Sequence, residues 1–236
     1  KWGCGFEPVE RRHCETAMSS GFDRPAGGAG GGESRGADAK GGDSAASRSI
    51  ESRVAETTHK STTILRAKCV IVGDAAVGKT ALTQMFFSGG TAYPKNYVMT
   101  VGVDFCMKTV NIADTATQVE MYMFDTSGQS IFNQREYGAR HWEGASCVMV
   151  VYDVSNRESF KSCAKWLKGV RETRPGRVIP GVLVANKNDL RDSGRAVVEP
   201  EEGKAFAKEM GLHFFETSAQ NNKDVDAAFH HLAKQF

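Results

Sequence analysis

The sequence lacks the features that mark a membrane-spanning, disulfide-stabilised or nucleic-acid-binding protein. Its longest apolar run is Cys147–Tyr152, far below the roughly 18 residues that a membrane-spanning helix needs. Lys and Arg form no long runs, and the formal net charge of +2 is too small to indicate nucleic acid or an anionic membrane as a partner. The six cysteines form no C-x-x-C pair, so we expect free thiols and a reducing, cytoplasmic compartment.

Residues 1–63 differ in composition from the rest of the chain. Pro25–Ser49 contains no Leu, Ile, Val or aromatic residue, so it cannot bury enough apolar surface to offset the entropy cost of ordering, and we expect a disordered tail. The glycine run Gly27–Gly32 has no strand before it and no helix after it, which indicates a flexible linker. The first methionine is Met18, and we expect residues 1–17 to be non-native.

From Ile64 onward, apolar strands alternate with amphipathic helices. This alternation predicts an α/β fold with a mostly parallel sheet and helices on both faces. Two strands follow each other with only a short polar turn around Asp114 between them, which predicts one antiparallel edge strand. The expected strands are 64–72, 101–112, 118–124, 147–152, 182–185 and 214–215, and the expected helices are 78–88, 155–173, 199–210 and 223–236.

The expected helix 155–173 carries the clearest local signals. Ser155-x-x-Glu158 predicts a capping box at its start. Apolar residues at helical spacing predict one buried face, formed by Phe160, Cys163, Ala164, Leu167 and Val170. We interpret Trp142 and Trp166 as packing residues or partner surface, rather than as ligand contacts.

The stretch between the first strand and the first helix, Gly73–Thr80, has the spacing G-x-x-x-x-G-K-T, and we name it the phosphate loop. Gly78 allows a close turn in which consecutive backbone N–H groups point at an anion. Lys79 would reach the β and γ phosphates of a nucleotide, and the Thr80 hydroxyl would ligate Mg²⁺. The alternative is a capped helix that binds nothing, but the flanking strand and helix are the context that the motif requires. The expected cofactor-binding residues here are Asp74, Ala75, Ala76, Val77, Gly78, Lys79, Thr80 and Ala81.

A second motif, Asp125-x-x-Gly128, directly follows the third expected strand. The Asp125 carboxylate would hold Mg²⁺, and the Gly128 N–H could meet the γ-phosphate. Taken alone, this pattern is usually just a turn. Its position after a strand places it at the same edge of the sheet as the phosphate loop.

Two further motifs favour guanine as the base. In Asn186-Lys187-x-Asp189, the Asp189 carboxylate can accept two hydrogen bonds from the guanine N1–H and 2-amino groups, a pattern that adenine does not offer. Lys187 can lie over the base, and Asn186 can tie its own loop to the phosphate loop. Thr217-Ser218-Ala219 would direct backbone N–H groups at the guanine O6, so we expect Ser218 and Ala219 to bind the base. A solvated loop is the alternative for either motif in isolation.

These four motifs, in this order, resemble those of the Ras-like small GTPases over Ile64–Phe236. The segment Thr100–Phe105, T-V-G-V-D-F, resembles the Rab signature of the first switch. The resemblance implies a P-loop NTPase small G domain with a six-stranded sheet over residues 64–236, with GTP/GDP and Mg²⁺ as cofactors. It further implies slow GTP hydrolysis, with Gln129 and Lys79 as catalytic residues and Thr80, Thr100 and Asp125 as the metal ligands.

Several shorter segments resemble the Rab-like GTPases of intraflagellar transport complex B, the machinery that moves cargo along cilia. This resemblance implies a small β-sandwich partner subunit, other subunits of that complex, exchange and activating proteins, and a location at the cilium or flagellum and its base. It implies neither a nucleic-acid partner nor a direct membrane anchor. The segments are Ala76–Thr80, Ala113–Thr115, Cys163–Leu167, Pro180–Val184, Phe215–Ser218 and Leu232–Phe236.

Three positions depart from the usual Rab pattern. Ala76 stands where most Rabs carry glycine, and a left-handed backbone there would cost alanine about 1 kcal/mol. Gln129 is present although several ciliary relatives lack it, which favours hydrolysis. The chain ends at Phe236 without a cysteine pair or a C-a-a-X box, so we expect either a clipped last helix or contact with membranes only through partners.

Three functions fit these observations. The first is a GTP-dependent switch subunit of intraflagellar transport. The second is a structural adaptor that binds nucleotide for stability without meaningful turnover. The third is a conventional Rab of vesicle trafficking, which the missing lipidation site disfavours unless the chain is clipped.

Overall fold

A computed structural model of the chain describes residues 62–128 and 140–236. The expected tail lies outside the described residues except for its last two, of which Thr63 begins the first strand. Within the described part of the chain, no helix is both long and apolar enough to cross a membrane.

Six strands form a single sheet in the order β2-β3-β1-β4-β5-β6. Only the neighbours β2 and β3 run antiparallel, while the other four neighbouring pairs are parallel, so the predicted fold class is confirmed. The central strand β4 is buried along its whole length, as expected of a continuous apolar strand covered on both faces. The strands are β1 (Thr63–Val72), β2 (Val103–Ile112), β3 (Thr117–Thr126), β4 (Cys147–Asp153), β5 (Gly181–Asn186) and β6 (His213–Glu216).

Helices cover both faces of the sheet. On one face, Phe86 of α1 stacks on Phe229 of α6 at a ring distance of 4.1 Å within one apolar core. On the other face, Leu167 of α3 and Ala207 of α5 belong to a second core. The helices are α1 (Lys79–Phe87), α2 (Arg157–Lys161), α3 (Cys163–Glu172), α4 (Asp189–Asp192), α5 (Pro200–Met210) and α6 (Val225–Gln235).

The expected single helix 155–173 is wrong, because the chain forms α2 and α3 with a break at Ser162. The expected cap is also wrong. The Asn156 side chain caps α2 by accepting hydrogen bonds from the backbone N–H groups of Glu158 and Ser159, whereas the Ser155 hydroxyl donates to Asp153 at 2.6 Å.

The buried face of α3 differs from the predicted one at two positions. Cys163, Leu167 and Val170 are buried as predicted, but Ala164 is exposed and Trp166 is buried. The short helix α4 was not predicted, because four residues give no periodic signal.

The parallel strands all end at one edge of the sheet. The phosphate loop follows β1, Asp125 lies near the end of β3, and Asn186 ends β5. In sheets of this kind, ligands bind outside the carboxyl ends of the strands. The fold therefore brings the predicted motifs together.

Candidate functional site

The phosphate loop folds around the amino group of Lys79. The Lys79 Nζ donates hydrogen bonds to two carbonyl oxygens of the loop, Gly73 O at 2.9 Å and Asp74 O at 2.8 Å. Lys79 is only 6% exposed, and this burial lowers its pKa to about 8, although Asp125 and Asp74 act in the opposite direction. The loop thus presents a desolvated cation, which suits a phosphate ligand.

Three residues of the phosphate loop have a positive backbone φ: Gly73, Ala76 and Gly78. Gly78 has φ +98°, and a Cβ there would lie 2.3 Å from the Asn186 Nδ2, so only glycine fits. Ala76 has φ +62°, the conformation in which alanine carries the strain anticipated from the sequence. Of the other predicted positions, Ala75 is exposed, Val77 is buried, and Ala81 lies in the first turn of α1 against the apolar core.

Three oxygen-bearing side chains meet near Lys79. The Thr80 hydroxyl donates to the Asp125 Oδ2 at 2.5 Å and lies 2.9 Å from the Thr100 hydroxyl, which in turn is 3.4 Å from the same carboxylate oxygen. Asp125 is 2% exposed, and its Oδ1 is buried without a hydrogen-bond partner among the described residues. Burial raises the pKa of Asp125, so its ionised form is costly unless a cation compensates it.

This group of side chains fits Mg²⁺. The ion prefers hard oxygen ligands and is usually held by one or two carboxylates together with substrate phosphates. Thr80, Thr100 and Asp125 come from α1, from the loop before β2 and from β3, so the ion would join three segments. The unpartnered Asp125 Oδ1 supplies an additional acceptor. Within residues 62–128 and 140–236, no group of three or more His, Cys, Asp or Glu side chains is placed to hold a metal.

Gly128 brings the segment after β3 against the phosphate loop. A Cβ at Gly128 would lie 2.3 Å from both the Asp74 carbonyl carbon and the Ala75 nitrogen. No side chain fits in this space, so the two segments meet backbone to backbone. The next residue, Gln129, lies outside the described residues, and its catalytic role remains a prediction.

Asn186 joins three loops at the end of β5. It is 1% exposed, and its Nδ2 donates to Val77 O at 2.8 Å, which is the predicted tie to the phosphate loop. Its Oδ1 accepts from the Thr217 hydroxyl at 3.2 Å and from the Ala219 N–H at 3.3 Å. Both ends of this buried amide are therefore paired.

The other predicted base-recognition residues surround Asn186. The Ser218 hydroxyl donates to the Asp189 Oδ1 at 2.5 Å, which leaves the other carboxylate oxygen of Asp189 as an acceptor. Lys187 has φ +65°, and its Nζ pairs with the Asp153 Oδ2 at 2.6 Å. This ion pair fixes the lysine side chain between the ends of β4 and β5.

Two residues of the site were not predicted. Asp153 orients Lys187, and Trp166 donates its indole N–H to the Asp74 Oδ1 at 2.8 Å. Asp153 directly follows the apolar run Cys147–Tyr152 in the sequence, and this position was the only sequence signal for it. Trp166 lies 92 residues from Asp74, so no local spacing could have revealed that contact.

Comparison with known proteins gives relatives that cover most of the chain. The intraflagellar transport protein 27 homolog of Mus musculus is 48% identical over 172 residues, which cover 73% of this chain and 90% of the relative. The intraflagellar transport protein 27 of Chlamydomonas reinhardtii is 40% identical over 178 residues, covering 74% and 86% of the two chains. The Ras-related protein Rab-10 of Caenorhabditis elegans is 35% identical over 167 residues, covering 71% and 79%.

The Ras family model matches residues 68–236, a range that contains every residue of the site described above. The match begins within β1 and runs through α6, so it includes the second half of β1 and the other five strands of the sheet in full. The chain belongs to the Ras family, whose domain in general binds GTP and GDP with Mg²⁺ and hydrolyses GTP.

Proposed function

We propose that this chain is a Rab-like guanine-nucleotide switch that acts in intraflagellar transport. The observation that carries the proposal is the convergence of Thr80, Thr100 and Asp125 near the buried Lys79. Thr100, in the loop before β2, and Gly128, in the segment after β3, would both grip the γ-phosphate. Loss of the γ-phosphate would free both loops, which is the basis of a switch.

Different groups of the site would bind the phosphates and the Mg²⁺ ion. Backbone N–H groups over Asp74–Ala81 and the Lys79 ammonium would bind the phosphates. Thr80, Thr100 and Asp125 would hold Mg²⁺, which neutralises negative charge on the phosphates when bound. The Gly128 N–H would meet the γ-phosphate.

Guanine would be selected at the ends of β5 and β6. Asp189 would accept the N1–H and 2-amino hydrogen bonds, and Lys187 would cover the base. Of the expected O6 contacts, the Ser218 N–H donates to Lys223 O, so O6 would meet the Ala219 N–H, whose bond to the Asn186 Oδ1 is long at 3.3 Å. Asn186 would keep these groups in register with the phosphate loop through its bond to Val77 O.

Hydrolysis would depend on Lys79 and Gln129. Gln129 would orient the attacking water, and Lys79 would offset the charge that develops on the γ-phosphate. No arginine among the described residues hydrogen-bonds to Thr80, Thr100 or Asp125. We therefore expect slow intrinsic turnover, on the order of 10⁻⁴ to 10⁻³ per second.

The ciliary part of the proposal is supported by two relatives that are named as intraflagellar transport proteins and are 40% and 48% identical. We infer that the G domain, residues 64–236, works as a subunit of intraflagellar transport at the cilium and its base. Its expected partner is the small β-sandwich subunit that the resemblance implies, and exchange and activating proteins are further expected partners.

Single-turnover GTP hydrolysis tests this function. Wild-type protein loaded with GTP and Mg²⁺ should hydrolyse it slowly, and Gln129→Leu should abolish turnover while retaining nucleotide. Gln84→Leu, an exposed position on α1, is the matched control and should leave the rate unchanged. Equal rates for wild type and Gln129→Leu would contradict the catalytic role of Gln129.

The strained backbone of Ala76 favours a second candidate, an adaptor that binds nucleotide only for stability. The two functions differ in how partner binding depends on the nucleotide. A switch should bind its partner differently when loaded with GDP than when loaded with a non-hydrolysable GTP analogue. Equal binding in the two states would favour the adaptor.

A further inference from the structure

We propose that Trp166 is a positioning residue for the phosphate loop. Its indole N–H holds the Asp74 carboxylate and thereby fixes the part of the loop that receives Lys79 and Gly128. The inference rests on the proposed function, because it is measured through the retention of nucleotide.

The donor is held rigidly on α3. Trp166 is 7% exposed and packs edge-on against Trp142, with ring centroids 6.1 Å apart and an angle of 72° between the rings. The Trp142 ring in turn lies against the α3 backbone, since a Cβ at Gly169 would come within 2.8 Å of it. The Trp166 indole therefore has little rotational freedom to lose when it donates to Asp74 at 2.8 Å.

The acceptor residue is the point at which three contacts meet. The Asp74 side chain bonds to Trp166, and its carbonyl oxygen accepts a hydrogen bond from the Lys79 Nζ at 2.8 Å. Gly128 lies against the same carbonyl group. A shift of Asp74 would therefore move a partner of Lys79 and the surface on which Gly128 rests.

The loop needs an external support because it contains a strained residue. Ala76, two positions after Asp74, has φ +62°. Such a conformation persists only where the surrounding structure holds it in place. A hydrogen bond to a carboxylate is stronger than one between neutral groups, so the Trp166–Asp74 bond suits this role.

The test compares two tryptophan-to-phenylalanine variants in the full-length protein. Trp166→Phe keeps the ring but removes the donor, and we expect release of a fluorescent GDP analogue to become about tenfold faster. Trp142→Phe is the packing control, because it trims the ring that packs on Trp166 but removes no hydrogen bond, since the Trp142 Nε1 has no partner among the described residues. Its release rate should stay within about twofold of wild type.

A double-mutant cycle separates positioning from packing. Asp74→Ala should accelerate release as Trp166→Phe does, and in the Asp74→Ala background Trp166→Phe should add less than about a twofold effect. Urea unfolding of each variant shows whether release merely follows lost stability. If Trp166→Phe does not fold, Asp74→Ala still tests the bond from the loop side.

Three outcomes would overturn the inference. The first is that the two tryptophan variants accelerate release equally, and the second is that Asp74→Ala leaves release unchanged. The third is that the effects of Asp74→Ala and Trp166→Phe on the release rate multiply in full. If one of these outcomes is observed and the wild-type protein retains GDP, the proposed function still holds. A wild type that takes up no guanine nucleotide overturns the proposed function, and this inference with it.

Discussion

At the scale of single residues, Ala76 shows how one side chain can set the stability of a binding loop. Its φ of +62° lies in the left-handed region, which costs an L-residue about 1–2 kcal/mol. Glycine avoids this cost but loses about 0.5–1 kcal/mol through the entropy of the unfolded chain. The balance favours glycine by roughly 0.5–1 kcal/mol.

We therefore expect Ala76→Gly to raise the free energy of unfolding by about 0.5–1 kcal/mol and to slow GDP release. Ala75→Gly is the matched control, since Ala75 is not among the described residues with positive φ, and it should lower stability. Urea unfolding and the release of a fluorescent GDP analogue measure both effects. Shifts of the same sign for the two variants would show that strain at Ala76 is not the cause.

The buried carboxylate of Asp125, an expected Mg²⁺ ligand, lowers the stability of the fold when it is ionised. Burial raises its pKa above the usual value near 3.8, so the unfolded chain ionises more readily than the folded one. Stability therefore falls as the pH rises from about 4 through the raised pKa. At neutral pH the folded protein carries this cost unless Mg²⁺ compensates the carboxylate.

We expect Asp125→Asn to raise the stability of the fold in the absence of Mg²⁺ and to weaken nucleotide binding in its presence. In EDTA at neutral pH the variant should unfold at higher urea than wild type, and the difference should close as the pH falls towards 4. With Mg²⁺ and GDP the order should reverse, because the variant loses a metal ligand and releases nucleotide faster. The exposed Asp192→Asn should change neither measurement, and a variant less stable than wild type in EDTA would contradict the argument.

At the scale of elements, the sequence predicted the strands better than the helices. Every expected strand exists and its ends shift by at most two residues, because apolar runs such as that of β4 are both short and bounded by polar residues. The helix break at Ser162 was missed because the apolar spacing continues across it. The cap was assigned to Ser155, yet Asn156 also offers a side-chain oxygen, and only the backbone path decides between them.

Asn186 tests whether the loops at the sheet edge act as one unit. Replacing it with alanine removes hydrogen bonds to Val77, Thr217 and Ala219 and leaves those buried groups unpaired. We expect Asn186→Ala to lower the free energy of unfolding by about 2–3 kcal/mol and to accelerate GDP release.

The neighbouring Asn188 offers a control for that variant. Its side chain does not cap α4, so Asn188→Ala should stay within about 0.5 kcal/mol of wild type in a urea titration. If both variants lose stability equally, the loop itself rather than the Asn186 bonds would account for the loss.

At the scale of the whole molecule, the motifs predicted which residues lie at the same edge of the sheet, but not which of their side chains contact each other. The metal group of Thr80, Thr100 and Asp125 follows from motif order and strand polarity, and its members do lie together. The contact of Trp166 with Asp74 does not follow, because it depends on how α3 packs over the second core. Local patterns specify the elements, whereas tertiary packing specifies such pairs.

We expect residues 1–61 to contribute little to the stability of the G domain. Among the described residues, the members of the two apolar cores lie between Ala67 and Ala233, and the family match begins at residue 68. Pro25–Ser49 offers no large apolar side chain that could extend either core. Removing residues 1–61 should therefore leave the free energy of unfolding within about 0.5 kcal/mol and the GDP release rate unchanged. A clear loss of stability in urea, or faster release from the shortened chain, would show that this segment belongs to the folded G domain.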